Sequence, residues 1–222
     1  MENKIRTERN LEKSIRKENL TAILCEKEAL LMIRKATEKD VDTVAKLYEE
    51  LHAYHDSHPN YCNWDRRIYP VRQTAEKAFR GGWLYVYEND AADYSDGQNE
   101  NINENSEVSP QILGAVILNH IQPQEYAGMA WNIEAEAEDV FVIHTLCVSP
   151  RARKMGIGKQ FVAFAEQLGK ELGCKAMRFD TSEFNKPAYT LYTSQGYAVV
   201  GKTLVQTSER MMEILYCFDK KL

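Results

Sequence analysis

The sequence predicts a mixed α/β domain whose N-terminal half is largely antiparallel. Three observations carry that prediction. Two helical stretches with apolar residues at i, i+3 and i+4 spacing precede a run of short strands. "DVFVIHTLCV" (139–148) is apolar on both parities, as in a strand covered on both faces of a sheet. A strand, a glycine-rich turn and a helix then follow one another through "VSPRARKMGIGKQ".

Taken in order, residues 1–30 read as a charged helical arm, with Leu11 and Ile15, then Leu20 and Leu24, at i, i+4 spacing. The body, 31–222, opens with a strand, "LMIRKAT". A helix follows in which Thr37 is the N-cap and Asp40 stands at capping-box spacing, with Val41, Val44, Leu47, Tyr48 and Leu51 as its apolar face. An aromatic-rich loop leads to a second helix from about Pro70 to Arg80, closed by Gly81-Gly82, and then to the strand "WLYVYE". Residues 89–110 are polar and acidic and read as a mobile surface loop. The strand Ile112–His120 returns, and Asp139–Val148 follows. On strict alternation the latter puts Val142, Leu146 and Val148 on one side and Phe141, Ile143 and Cys147 on the other. A helix over 158–173 carries Phe161, Phe164, Ala165 and Leu168 as its stripe, with Gly173 at its C-terminus. "AMRFDTS", a helix "NKPAYTLYTSQ", and the strands "YAVVGK" and "RMMEILYCF" complete an order β-α-α-β-β-β-α-β-α-β-β.

Composition narrows the function. At 222 residues and 44% hydrophobic content, the chain can bury one good core. A net charge of −5 argues against nonspecific nucleic-acid binding. No apolar run approaches the roughly 20 residues of a membrane span, and the N-terminus lacks a signal-peptide core. Five scattered cysteines, Cys25, Cys62, Cys147, Cys174 and Cys217, without Cys-x-x-Cys spacing, fit reduced thiols in the cytoplasm and argue against a cysteine zinc site.

The glycine loop is an anion site on general grounds, because unpaired N–H groups and the positive end of a helix converge there. The dinucleotide fingerprint fails, since its third glycine would fall at Phe161. A phosphate-binding loop of the Walker type fails twice, at Arg153 and at Gln160. Arg153-Lys154-Met155-Gly156-Ile157-Gly158 instead resembles the Arg/Gln-x-x-Gly-x-Gly/Ala motif of the GCN5-related N-acetyltransferase (GNAT) superfamily. "HTLCVSP" before it resembles that family's fourth strand, whose end carries a β-bulge. "NKPAYTLYTSQGY" after it resembles the family's Asn…Ala-x-x-Leu-Tyr…Gly-Phe/Tyr segment. An ordinary strand-to-helix turn explains the six loop residues alone, but not the three pieces in sequence.

The resemblance implies a central sheet splayed between its fourth and fifth strands, with acetyl-CoA as co-substrate and no metal. It implies that the loop from Arg153 to Lys159 cradles the diphosphate. Leu146, Cys147 and Val148 would line the pantetheine slot, and the Leu146 N–H would hold the developing oxyanion. By the same resemblance Tyr192 is the general acid to the leaving thiolate, and Asn185 contacts the cofactor arm. Packing alone would also explain Tyr192, and helix capping alone Asn185. His144 stands two residues before the oxyanion leucine, as in a family member where histidine relays protons, though a sheet-bonded histidine fits equally. Glu138 and Asp139 are the carboxylate alternatives for the base.

On the acceptor side, Tyr54, Tyr61, Trp64, Tyr69 and Trp131 are candidate pocket or core aromatics. His52, His55 and His58 invite a metal reading that the loop at Pro59 weakens. The expected function is N-acetylation of a small primary amine. A peptide or protein acceptor, or a silent acyl-CoA-binding domain, are the alternatives. The arm and the late strands are candidate surfaces for a homodimer.

Overall fold

The computed structural model describes residues 32–89, 111–208 and 211–222. The helical arm read over 1–30 and the acidic loop read over 89–110, save Asn89, lie outside the described residues. The element order is the one the sequence implies: β1 (Ile33–Lys35), α1 (Asp40–His55), α2 (Arg72–Arg80), β2 (Leu84–Asn89), β3 (Gln111–Asn119), β4 (Val140–Val148), α3 (Ile157–Glu171), β5 (Ala176–Ser182), α4 (Lys186–Ser194), β6 (Ala198–Ser208) and β7 (Met211–Lys221).

Local chemistry sets the boundaries. Asp40 reaches back to accept from the Thr37 N–H at 2.7 Å and from its hydroxyl at 2.8 Å, but the helix itself starts at Asp40, so Lys39 and not Thr37 is its N-cap residue, without a side-chain cap bond. The same carboxylate takes the Arg34 guanidinium at 2.7 Å, and Arg34 also holds Glu88 at 2.6 Å, so one arginine ties β1, β2 and the start of α1 together. Asn185 caps α4 by accepting from the Ala188 N–H at 3.2 Å. β6 runs on to Ser208 and β7 to Lys221, past the segments read from sequence.

The seven strands lie in the order β1-β2-β3-β4-β5-β7-β6. All neighbours are antiparallel except β4 and β5, which run parallel. That parallel pairing spans only Val140↔Ala176, Phe141↔Met177 and Val142↔Arg178. Beyond it β4 stays with β3 as far as Val148↔Gly114, and β5 stays with β7 as far as Ser182↔Leu215. The sheet therefore opens between its fourth and fifth strands, as expected.

One face is covered by α3 and α4, where Phe161, Val162 and Ala165 pack on Leu113, Val116, Phe141, Met177, Phe179 and Phe218. A side chain at Gly114 would stand 2.7 Å from the Phe161 ring, so glycine lets α3 seat directly on β3. On the other face, Val44, Leu47 and Tyr48 of α1 and Ala75 and Ala78 of α2 pack on Leu84, Val86, Ala115 and Ile117. Each fully buried aliphatic or aromatic side chain contributes about 1.5–3 kcal/mol.

Strict alternation along β4 fails. Two steps on β3, Ala115 to Ile117, face three on β4, Cys147 to His144, so β4 bulges there. Thr145 sits in the bulge at φ +45°, a left-handed conformation that costs a β-branched residue about 1–3 kcal/mol. The extra residue carries Cys147 to the α1 side, while Phe141 and Ile143 face α3.

Candidate active site

The bulge and the splay together create the site. The Ser149 N–H donates to the Leu113 carbonyl at 2.8 Å, and Cys147 stands opposite Ala115. In an antiparallel ladder the intervening residues point the other way, so Leu146 and Val148 aim their N–H groups into the gap that β5 has left. The gap opens into a cavity of about 620 Å³ lined by Ile143 to Val148 on one side and by Asp180, Thr181 and Ser182 on the other. Gly158, Asn185, Leu191 and Tyr192 close it on the α3–α4 side.

The loop before α3 lies at the outer mouth. Arg153, Lys154, Met155 and Gly156 are exposed. Gly156 adopts φ +79°, and a side chain there would meet nothing within 4 Å. The Gln160 N–H donates back to the Gly156 carbonyl at 3.1 Å, so the N–H groups of Ile157, Gly158 and Lys159 have no carbonyl of their own helix to reach. The Arg153 guanidinium is held by the Tyr54 hydroxyl and lies 5.2 Å from its ring centre. Lys159 is exposed in the first turn.

Tyr192 is buried, its ring 4.0 Å from that of Phe179, and it reaches the cavity. Burial pushes its phenol well above the usual value, with smaller contributions from Cys62 and Asp180, so it remains a proton donor across the physiological range. Asn185 also donates to the Thr181 hydroxyl at 3.0 Å and the Cys62 sulfur at 3.5 Å. Capping is thus observed, and the side chain stands in the cavity wall as well.

His144 lines the cavity with its Nε2 3.0 Å from the Ile121 carbonyl and 3.1 Å from Asn119 Oδ1. Asn119 Oδ1 also accepts from the Ile121 N–H at 2.8 Å. Two acceptors around Nε2 require that it carry the proton, which leaves Nδ1 as the basic lone pair. Burial lowers the pKa of this imidazole, partly countered by the Ile121 carbonyl, and keeps it neutral at pH ~7. Glu138 and Asp139 lie at the far end of β4, where Asp139 is paired with Lys175, and neither lines the cavity. The carboxylates that do are Asp65, Asp180 and Glu213. Asp180 and Glu213 escaped the sequence reading. The available signal was a charged residue at an inward position of "AMRFDTS", one step from buried Phe179.

The loop after α1 lines the cavity with Cys62, Asn63, Trp64, Ile68 and Tyr69. The Tyr69 hydroxyl bonds to the Thr145 hydroxyl and so ties this loop to the bulge. Tyr54 and Tyr61 do not line the cavity. Neither does Trp131, which stacks over Arg178 and bonds to the Tyr126 carbonyl at 3.1 Å. The three histidines are separately engaged. His52 bonds to the Pro70 carbonyl at 2.9 Å, His58 to that of Tyr54 at 3.0 Å, and His55 lines the cavity. Among the described residues no group of three or more His, Cys, Asp or Glu is placed to hold a metal ion.

A splayed sheet, a bulged fourth strand and a glycine loop opening the next helix are the features that the family resemblance implied. A profile of the Acetyltransferase (GNAT) family matches residues 45–197, well over half of the chain, and the protein belongs to that family. That family is one of acetyltransferases. D-amino-acid N-acetyltransferase HPA3 of Saccharomyces cerevisiae is 30% identical over 92 residues, covering 41% of this chain and 50% of that protein. The chain thus spans about half the length of the curated relative it matches. A GNAT-family acetyltransferase from Streptococcus agalactiae superposes with a TM-score of 0.64 at 16% identity, over 86% of this chain and 94% of that one. The protein yncA of Salmonella typhimurium, solved with its cofactor acetyl-CoA, gives 0.54 at 13%, over 86% and 92%. At such identities these structures share the fold. Among the described residues no helix is long and apolar enough to cross a membrane.

Proposed function

We propose that this enzyme acetylates a primary amine of a small molecule. One observation carries the reading: the gap at the β4 bulge leads into a cavity of about 620 Å³ roofed by Cys62, Asn63, Trp64, Ile68 and Tyr69, a volume in the range of small-molecule sites. The residues fit the co-substrate. An apolar slot edged by the Leu146 and Val148 N–H groups suits a pantetheine arm, and the open turn at Gly156 with the free N–H groups of α3 suits a diphosphate. Cys147 turns its side chain away toward α1, so its part in the slot is confined to the backbone. When bound, acetyl-CoA supplies an acyl group activated as a thioester.

Transfer forms a C–N bond and breaks a C–S bond, so a proton must leave the amine and one must reach the sulfur. His144 Nδ1 is the acceptor for the first and Tyr192 the donor of the second. The Leu146 N–H takes the developing negative charge on the carbonyl oxygen, worth about 3–4 kcal/mol to the transition state. Asp180 draws the amine in as its ammonium form, which gives one proton to solvent before the neutral amine attacks at the bulge. The S. cerevisiae relative is named for D-amino acids. An amino-acid acceptor would bring a carboxylate, and no described Lys or Arg lines this cavity to receive it. The amine is what the two acceptors would share.

Calorimetric titration with acetyl-CoA, with ATP and NAD as controls, followed by thiol release over an amine panel, tests the reading. Selective acetyl-CoA binding with amine-dependent release supports it. Binding with release only on peptides would move the acceptor to protein. In Gly156→Asp, a carboxylate facing the diphosphate should weaken acetyl-CoA by about tenfold or more. Native affinity in that variant would overturn the loop assignment.

A further inference from the structure

The cavity holds three carboxylates and, among its described lining residues, no Lys or Arg. Asp65 is already answered by Arg67 at 2.8 Å on the outer surface. Among the described lining residues the other two face no Lys or Arg. Asp180 accepts a single hydrogen bond, from the Tyr126 hydroxyl at 2.9 Å. Glu213 is only 8% exposed, and its Oε1 is buried without a partner. Its remaining help comes from neutral donors, Ser182 and Asn63. A desolvated carboxylate with an unfilled oxygen costs stability unless a donor arrives, and a cationic donor suits it best.

Strand register places the two anions on one floor. Asp180 stands opposite Cys217, and Ser182 opposite Leu215. Residues opposite one another share a face, so Glu213, two further along β7, shares it too. Four strand positions separate Glu213 from Cys217, about 13 Å along the backbone, with Leu215 between. Trp64, Ile68 and Tyr69 line the same cavity from the roof. The result is an apolar trough with an anion at each end, one of them beside the bulge.

We propose that the acceptor is a linear diamine or polyamine, one ammonium seated on Glu213 while the amine to be acetylated reaches the β4 bulge past Asp180. The electrostatics agree. Burial, then the charges of Glu213 and Glu125, push the Asp180 carboxyl up to about 6 despite the Tyr126 hydroxyl. A dication relieves that repulsion at both ends, whereas a monoamine relieves it at one. Methylenes between the ammonium groups match Leu215 and Ile68.

The inference rests on the small-amine reading above, and the experiment separates the two. With cadaverine, spermidine, n-pentylamine and the ω-amino acid of the same length as acceptors, kcat/KM should be about ten- to a hundredfold higher for the first two. Glu213→Gln should collapse that ratio. It should also weaken calorimetric binding of cadaverine to the protein saturated with coenzyme A by a similar factor, with melting temperature and acetyl-CoA affinity checking the fold. Glu213→Lys should turn preference toward the ω-amino acid. Equal kcat/KM for cadaverine and n-pentylamine, or a ratio that Glu213→Gln leaves in place, overturns the diamine proposal while the enzyme reading stands. Failure to bind acetyl-CoA, with no thiol release on any amine, overturns the reading beneath it.

Discussion

Tyr192 combines an observed packing role with the proton-donor role proposed for it. Its ring is a wall of the core, against Phe179 at 4.0 Å and Phe218 at 5.6 Å, and the same burial that holds the ring keeps the phenol protonated. Removing the hydroxyl alone separates the two roles. Tyr192→Phe should keep its melting temperature and acetyl-CoA affinity, while kcat falls about a hundredfold, the lower end of what a positioned acid contributes. A variant with native kcat would show that the thiolate departs without this proton. Tyr192, Asn185 and the glycine loop could be found in the sequence because each lies in a short contiguous segment. Asp180 and Glu213 could not. They lie 33 positions apart in the chain (213 − 180), and only the register of β5 on β7 brings them to one face.

At the scale of elements, the helix starts and strand cores were legible wherever local chemistry decided them, and Asp40 is the clearest instance. Burial works to raise its carboxyl, but the Arg34 guanidinium and the Thr37 N–H and hydroxyl outweigh burial and hold it at about 2. A carboxyl with its pKa depressed in the folded state stabilises the fold above its unfolded value of about 3.9, and the contribution is lost as pH falls toward 2. Asp40→Asn should therefore cost about 1–2 kcal/mol at pH ~7, and the gap from the native protein should close progressively below pH ~4. Denaturant melts at several pH values measure it. A gap that stayed constant with pH would assign the loss to the Thr37 hydrogen bonds rather than to the ion pair. The β4 bulge was legible only through family resemblance. Alternation read the strand as regular, because nothing in "HTLCV" requires Thr145 to turn left-handed. That conformation follows from β4 having to serve β3 on one edge while β5 leaves the other.

Across the whole molecule, the two parts of the sheet meet at only three residue pairs between β4 and β5, so something else must fix the angle at which they diverge. The connection from β3 to β4, residues 120–139, crosses that junction, and its composition gave no sign of how it is held. Asp219 of β7, only 1% exposed, accepts from the Asn132 and Ile133 N–H groups at 2.7 and 3.0 Å and from the Asn132 side chain at 2.9 Å. Arg178, opposite it on β5, donates to the Ile133 carbonyl at 2.8 Å and to Gln122 at 2.9 Å. The connection is thus pinned across the seam, and it carries Tyr126, whose hydroxyl donates to Asp180 in the cavity. Asp219→Ala strands three donors and should destabilise the protein by about 2–4 kcal/mol. Hydrogen exchange should speed up first over 122–135, and KM for the amine should rise while acetyl-CoA affinity holds, because Asp219 holds the 120–139 connection and not the loop proposed for the diphosphate. If exchange rose evenly across the sheet instead, Asp219 would be an ordinary core residue, and the angle of the splay would be set by the packing of α3 and α4 alone.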